Sequence, residues 1–301
     1  MNPLSSRTQV TMALSIVYLV WGSTYLGIRV AVQGIPPALC AGLRFDVAGV
    51  LMLAYALWRG HRLPVAARDW RNVTLTGILL LVGGNGLVTW SEQWVQSNLA
   101  ALIVATAALW IAWLGTFGPR GEKLNALTIT GLLLGFAGVA ALVGGSIRQH
   151  YGPPLAYAAL VLAPVCWALG SVYSKRNPVA CNYLVTAALQ MLIAGVIMTV
   201  AGVASGELPR LHWQTEAFAA LAYLVVFGSC IAYAAYFWLV HQVTPALLGT
   251  YAYVNPAVAV LLGWWLLGER LTPVQLLGTA VILAGVVTVT LASARKPKLS
   301  A

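Results

Sequence analysis

Apolar residues run along this chain in long continuous blocks, broken at fairly even intervals by short polar segments. A helix needs about 20 residues to cross about 30 Å of hydrocarbon, whereas membrane-barrel strands alternate over about ten. The blocks therefore predict ten membrane-spanning helices, over Thr11–Val32, Ala38–Leu57, Asn72–Trp90, Asn98–Phe117, Ala126–Gly145, Leu155–Ser174, Tyr183–Val203, Ala217–Leu239, Ala246–Leu267 and Val274–Ala292. The longest connections, 58–71 and 204–216, hold 14 and 13 residues. No soluble domain is expected, and function has to lie within the bundle or at its mouths.

The blocks also repeat. Gly121-Glu122-Lys123-Leu124 returns as Gly268-Glu269-Arg270-Leu271, and from Gly121 to Val139 seven of nineteen positions match at an offset of 147. Gly22, Ser23 and Tyr25 answer to Gly170, Ser171 and Tyr173 at 148, and Ala100 and Leu102 to Ala246 and Leu248 at 146. Five spans is an odd number, so the second half must enter the bilayer from the opposite side. We expect two five-helix repeats of inverted topology, residues 1–147 and 148–301, an architecture associated with transport.

Charge sets the orientation. Twelve Lys and Arg lie in the two termini and in the loops after helices 2, 4, 6 and 8, against only Arg148, Arg210 and Arg270 in the alternate loops. Positive residues concentrate on the cytoplasmic side, so both termini are expected there, with the first helix retained and not cleaved as a signal peptide. The net charge of +10 follows from that asymmetry and from anionic headgroups, so the bilayer is the expected partner and nucleic acid is not. With 60% apolar residues, 8% charged residues and a mean hydropathy of +0.83, a soluble globular surface is excluded. Cys40, Cys166, Cys181 and Cys230 form no Cys-x-x-Cys, and the four His lack metal-ligand spacing, so no metal and no other cofactor is expected. No nucleophile or paired carboxylates gather at one depth, which argues against an enzyme, and no extended loop is available to a scaffold.

Trp21-Gly22-Ser23-Thr24-Tyr25 with Arg29, then Pro36-Pro37 and Arg44-Phe45, resembles the first hairpin of the drug/metabolite transporter superfamily, specifically the EamA-type exporters. The run from Gly249 to Pro256, then Leu261-Leu262-Gly263 and Gly268-Glu269, adds to the likeness. The resemblance implies a ten-helix bundle with a central cavity, in the inner (plasma) membrane, exporting small metabolites, amino acids prominent among them, by alternating access. Lipophilic drugs and nucleotide or phosphorylated sugars are the other substrate classes it allows. The family commonly has a proline in helix 4 where this chain reads Ala107-Ala108-Leu109, while helix 9 keeps Pro256. Helix 4 is accordingly expected to be straighter than helix 9.

Ionisable residues at membrane depth call for an explanation. Arg29 and Arg44 flank the turn at Gly34 to Pro37, about 7 to 11 Å below it at about 1.5 Å per residue. Asp46 and Glu92 fall in the same outer layer. Two readings stay open: an outer gate or a site for a zwitterion, or mutual bracing in which Arg29 pairs with Asp46 and Arg44 with Glu92. Nearer the middle, Ser23 and Ser171 beside Gly22 and Gly170 either line a site or allow close helix contact. Asn85 among Gly83, Gly84 and Gly86, and Asn255 before Pro256, are irregularities that line a cavity or bond to a neighbouring helix. Among the aromatic residues, Trp21, Trp90 and Tyr251 are candidate cavity walls, with core or lipid packing as the alternative. Gly131, Gly135 and Gly138 offer a close-contact face for internal packing or a homodimer, and oligomeric state stays open.

Overall fold

The computed structural model describes residues 6–117, 125–148, 152–243 and 251–294. Among them there is no strand. The helices are α1 (Thr8–Ala31), α2 (Pro37–Trp58), α3 (Ala67–Ser91), α4 (Ser97–Leu114), α5 (Ala126–Arg148), α6 (Pro154–Arg176), α7 (Tyr183–Ala204), α8 (Thr215–Leu239), α9 (Tyr251–Leu267) and α10 (Pro273–Ala294). Seven of these are long and apolar enough to cross a membrane; in α5, α9 and α10 the apolar stretches are shorter, Ala126–Ala141, Val254–Leu267 and Pro273–Val289. The Gly121 to Leu124 motif and the expected start of helix 9 at Ala246 lie outside the described residues.

Local chemistry sets the helix ends. Proline begins α2, α6 and α10, where its missing N–H costs nothing. Asn182 caps α7 by accepting from the Leu184 N–H at 2.9 Å. Gly60 and Gly206, 146 residues apart, follow the last turns of α2 and α7 with φ of 81° and 75°, a conformation glycine adopts without the Cβ penalty.

Two helix pairs build the frame. α2 packs along α7 and α5 along α10. A Cβ on Gly42 would strike the Thr199 backbone, one on Gly49 would meet Leu192, and one on Gly195 would strike Asp46, so the numbering of α2 and α7 runs in opposite directions along their contact. Gly131 meets Gly285 and Val289, and Gly138 meets Gly278 and Ile282, so α5 and α10 are antiparallel too. In lipid, where tails compete for apolar contact, such backbone approach is what holds helices together. The Gly131 and Gly138 face is therefore filled by α10 within the chain.

The helices that surround the centre are irregular. π-Helical stretches interrupt α1 at Val17–Trp21, α3 at Ile78–Gly86 and α8 at Leu224–Ile231. The last two begin 146 residues apart, again at the repeat offset. Helix α4 departs from expectation. It is broken at Ala105 and Thr106, between Ser97–Val104 and Ala107–Leu114, while the described part of α9 runs unbroken through Pro256. The physical cause is local: the Thr106 hydroxyl and N–H both donate to the Ile103 carbonyl, at 2.6 and 3.1 Å, tightening the turn without any proline.

Candidate functional site

Helices α1 to α4 and α6 to α9 enclose a cavity of about 830 Å³ of atom-free space, part of it open to solvent. No described residue of α5 or α10 lines it. π-Helical turns bring Trp21, Leu81, Gly84, Asn85, Gly228 and Ser229 onto the wall, and the α4 break supplies Ala105. A π-turn widens the helix locally and frees backbone groups, which is why such turns mark functional sites.

Five of the ten residues singled out from the sequence line this cavity: Trp21, Arg44, Asn85, Tyr251 and Asn255. Arg44 is the one charged side chain on the described wall, and it is 5% exposed. Its Nε donates to Ser229 Oγ at 2.8 Å and its guanidinium lies 5.0 Å from the Phe45 ring centre. Asn255 is 5% exposed and its Oδ1 has no hydrogen-bond partner. Around Trp21 stand Tyr236 at 4.9 Å, Tyr251 at 5.6 Å, Trp167 at 6.0 Å and Tyr233 at 6.4 Å between ring centres. The Tyr233 hydroxyl donates to Gln190 Oε1 at 3.1 Å, which fixes that ring.

The other five stand elsewhere. Ser23 bonds to the Val20 carbonyl and the Tyr223 hydroxyl, and Ser171 donates to the Trp167 carbonyl at 2.8 Å. The neighbouring glycines make helix contacts, Gly22 against Val258 and Gly170 against Leu80. Trp90 packs edge-on against Trp94 at 4.9 Å. Arg29 donates to the backbone carbonyl of Glu92, and the Glu92 carboxylate is 0% exposed with neither oxygen bonded.

The braced layer expected of the four charges takes a different form. Asp46 accepts from Thr199 at 2.7 Å and faces Gly195 of α7, and neither Arg29–Asp46 nor Arg44–Glu92 is hydrogen-bonded. Asp46 lies two residues beyond Arg44, about 200° around the helix, so the two cannot share a face. Depth put them in one layer; azimuth separates them.

Two acids to which the sequence reading gave no structural role hold the same end of the bundle. Glu269, in the α9–α10 turn, accepts from the Ser97 N–H at 2.8 Å, the Ser97 hydroxyl at 2.9 Å and the Asn98 N–H at 3.1 Å, capping α4. Glu207, in the α7–α8 turn, accepts from the Leu39 N–H at 2.9 Å and the Ala38 N–H at 3.4 Å, capping α2. Each carboxylate meets the positive end of a helix dipole and the unpaired N–H groups there. The recurring Gly-Glu pair marked Glu269 in the sequence, yet nothing in the pattern named its partner.

Known proteins resemble this chain over most of its length. The protein named "Uncharacterized inner membrane transporter YedA" of Escherichia coli strain K12 is 42% identical over 281 residues, covering 93% of this chain and 90% of that protein. "Probable amino-acid metabolite efflux pump" of the same strain is 25% identical over 300 residues, covering 93% and 94%. A protein crystal structure with 24% identity superposes with a TM-score of 0.66, over 96% of this chain and all of that one, and so has the same fold. The model of the EamA-like transporter family matches twice in succession, over residues 10–144 and 154–291, and with two such copies covering most of its length the chain belongs to that family.

Proposed function

We infer that the protein exports small metabolites, amino acids foremost and with broad specificity, by alternating access from the cavity between its halves. The observation that carries this reading is the wall itself: one buried guanidinium, at Arg44, and one buried and unbonded amide oxygen, at Asn255, line the same cavity, whose other lining residues are mainly aromatic and apolar. Arg44 receives a carboxylate through a charge-assisted bond. Asn255 Oδ1 accepts from an ammonium, and Trp21, Trp167 and Tyr251 hold the side chain by area and by cation–π attraction, which tolerates many shapes.

The same reading takes the protein as ten spans in two inverted repeats, 1–147 and 148–301, in an inner (plasma) membrane with both termini cytoplasmic. The antiparallel pairing of α2 with α7 and of α5 with α10 supports inversion, because helices at equivalent places in the two halves then run oppositely. The name of the amino-acid efflux relative supports the substrate class. An apolar wall also suits lipophilic drugs, which form the second reading. Nucleotide or phosphorylated sugars would need more cations than Arg44 alone. No step in this account makes or breaks a covalent bond, so the protein acts as a carrier and not as an enzyme.

Counterflow in proteoliposomes loaded with unlabelled amino acids tests the reading. Radiolabelled amino acid should accumulate transiently inside. Absence of accumulation for every amino acid, in protein shown to be folded, would move the assignment to drugs.

A further inference from the structure

The cavity account leaves Glu92 unused. Glu269 has both carboxylate oxygens bonded and Asp46 has one, whereas both oxygens of Glu92 are orphaned in a side chain that is 0% exposed. Glu92 lies four residues beyond Val88 of the cavity wall, on the same face of the chain as it leaves α3. The ionisable groups whose charge acts on it are Arg29 and Tyr25 from α1, Arg44 and Cys40 from α2, and Glu269 from the α9–α10 turn, while α6 packs on the same end of α3 through the Ser91 bond to the Ala156 carbonyl. Arg29 is tied to the backbone carbonyl of Glu92 itself, which leaves the carboxyl group without that donor.

An ionised carboxylate with no donor from the protein is the least stable occupant of such a buried site. The neutral acid carries its own proton and leaves far less unsatisfied. We propose that Glu92 is a proton-binding site, loaded in the arrangement seen here and linked to the cavity through Arg44. The linkage follows from shared cations. Ionising Glu92 places a negative charge toward Arg29 and Arg44, and a carboxylate bound at Arg44 does the same. The two anions disfavour each other, so a bound substrate holds the proton on Glu92, and by reciprocity the proton strengthens substrate binding by the same factor. The proton comes from water and returns to it, and no other group is transferred. One proton then moves together with one carboxylate-bearing substrate, so export requires an outward substrate gradient steep enough to carry the proton against any inward proton gradient. The linkage rests on the reading of Arg44 as a carboxylate contact; the proton site does not.

Two measurements on the full chain in lipid separate these claims. A pH titration followed by infrared difference spectroscopy should detect the carbonyl stretch of a neutral carboxylic acid that persists where exposed acids have ionised. The band should be absent in Glu92→Gln and displaced in Glu92→Asp, which retains a carboxyl group if the glutamine variant fails to fold. A parent protein without the band overturns the proton site. In the second measurement, tryptophan fluorescence reports binding of L-phenylalanine as the probe. Above the pH at which the band begins to fade, its affinity should fall by up to about tenfold per pH unit, and it should be level in Glu92→Gln. A level affinity in the parent, with the band intact, overturns the linkage. No binding of L-phenylalanine at any pH, with the band intact, overturns the amino-acid reading of the cavity while the proton site stands.

Discussion

Replacing Arg44 by Gln removes the charge from the described cavity wall while keeping a polar side chain that can still reach toward Ser229 Oγ, now 2.8 Å from Nε. A hydrogen bond to a charged group contributes about 1.5–3 kcal/mol, and about 1.4 kcal/mol is a factor of ten in binding. If the guanidinium receives the substrate carboxylate, KM for L-phenylalanine should rise about 10- to 150-fold in Arg44→Gln. Phenylalaninol, in which an alcohol replaces the carboxylate, should gain or lose much less. The assay is counterflow with each compound in proteoliposomes, with thermal unfolding in detergent to establish that the variant is folded. Arg44→Lys keeps the charge but not the planar fork, and should fall between the two. Equal loss for both compounds would refute the carboxylate assignment and make Arg44 a structural brace through Ser229 alone.

Three further outcomes are expected. Asn255→Leu removes an oxygen that has no partner in the protein, so folding stability should hold or rise while KM for amino acids rises about tenfold, as measured by the same counterflow; unchanged KM would remove Asn255 from the site. Glu269→Ala takes away the cap on α4 and should cost about 1 kcal/mol, read as a lower unfolding temperature, with no change expected only if the three bonds to Ser97 and Asn98 carry no energy. Gly42→Val drives a side chain into the Thr199 backbone and should destabilise the α2–α7 pair by about 1–3 kcal/mol or more, whereas a wild-type melting curve would mean the two helices are not in close contact.

The parts of this fold that were legible in the sequence are those written in residue type. Continuous apolar blocks placed the helices, and Gly83, Gly84 and Gly86 around Asn85 marked the weak point where α3 becomes π-helical. The corresponding turn in α8 was not legible, because Leu224–Ile231 carries only Gly228 as a signal, and the turn in α1 at Val17–Trp21 carries none. The break in α4 arises from a threonine hydroxyl competing for a carbonyl, a choice that the absence of proline concealed. In the charge layer, depth could be counted along the chain, but partners depend on azimuth and on helices far away in sequence. Asp46 therefore meets Thr199, 153 residues on, and Arg44 meets Ser229, 185 residues on. The cavity wall was half legible for the same reason: irregular or bulky residues such as Trp21, Asn85 and Asn255 announced themselves, while Ala105 and Ser229 reached the wall only through backbone irregularities.

The central claim is that the cavity between the halves is the place where substrate is handed across the membrane. The most direct measurement puts a single cysteine there, as Asn85→Cys in protein whose Cys40, Cys166, Cys181 and Cys230 are replaced by alanine, and follows its reaction with membrane-impermeant thiol reagents applied to either side. The account predicts labelling from both sides, slowed by L-phenylalanine, with transport lost in proportion to the fraction labelled. Labelling from one side only, or full labelling with transport intact, would contradict it.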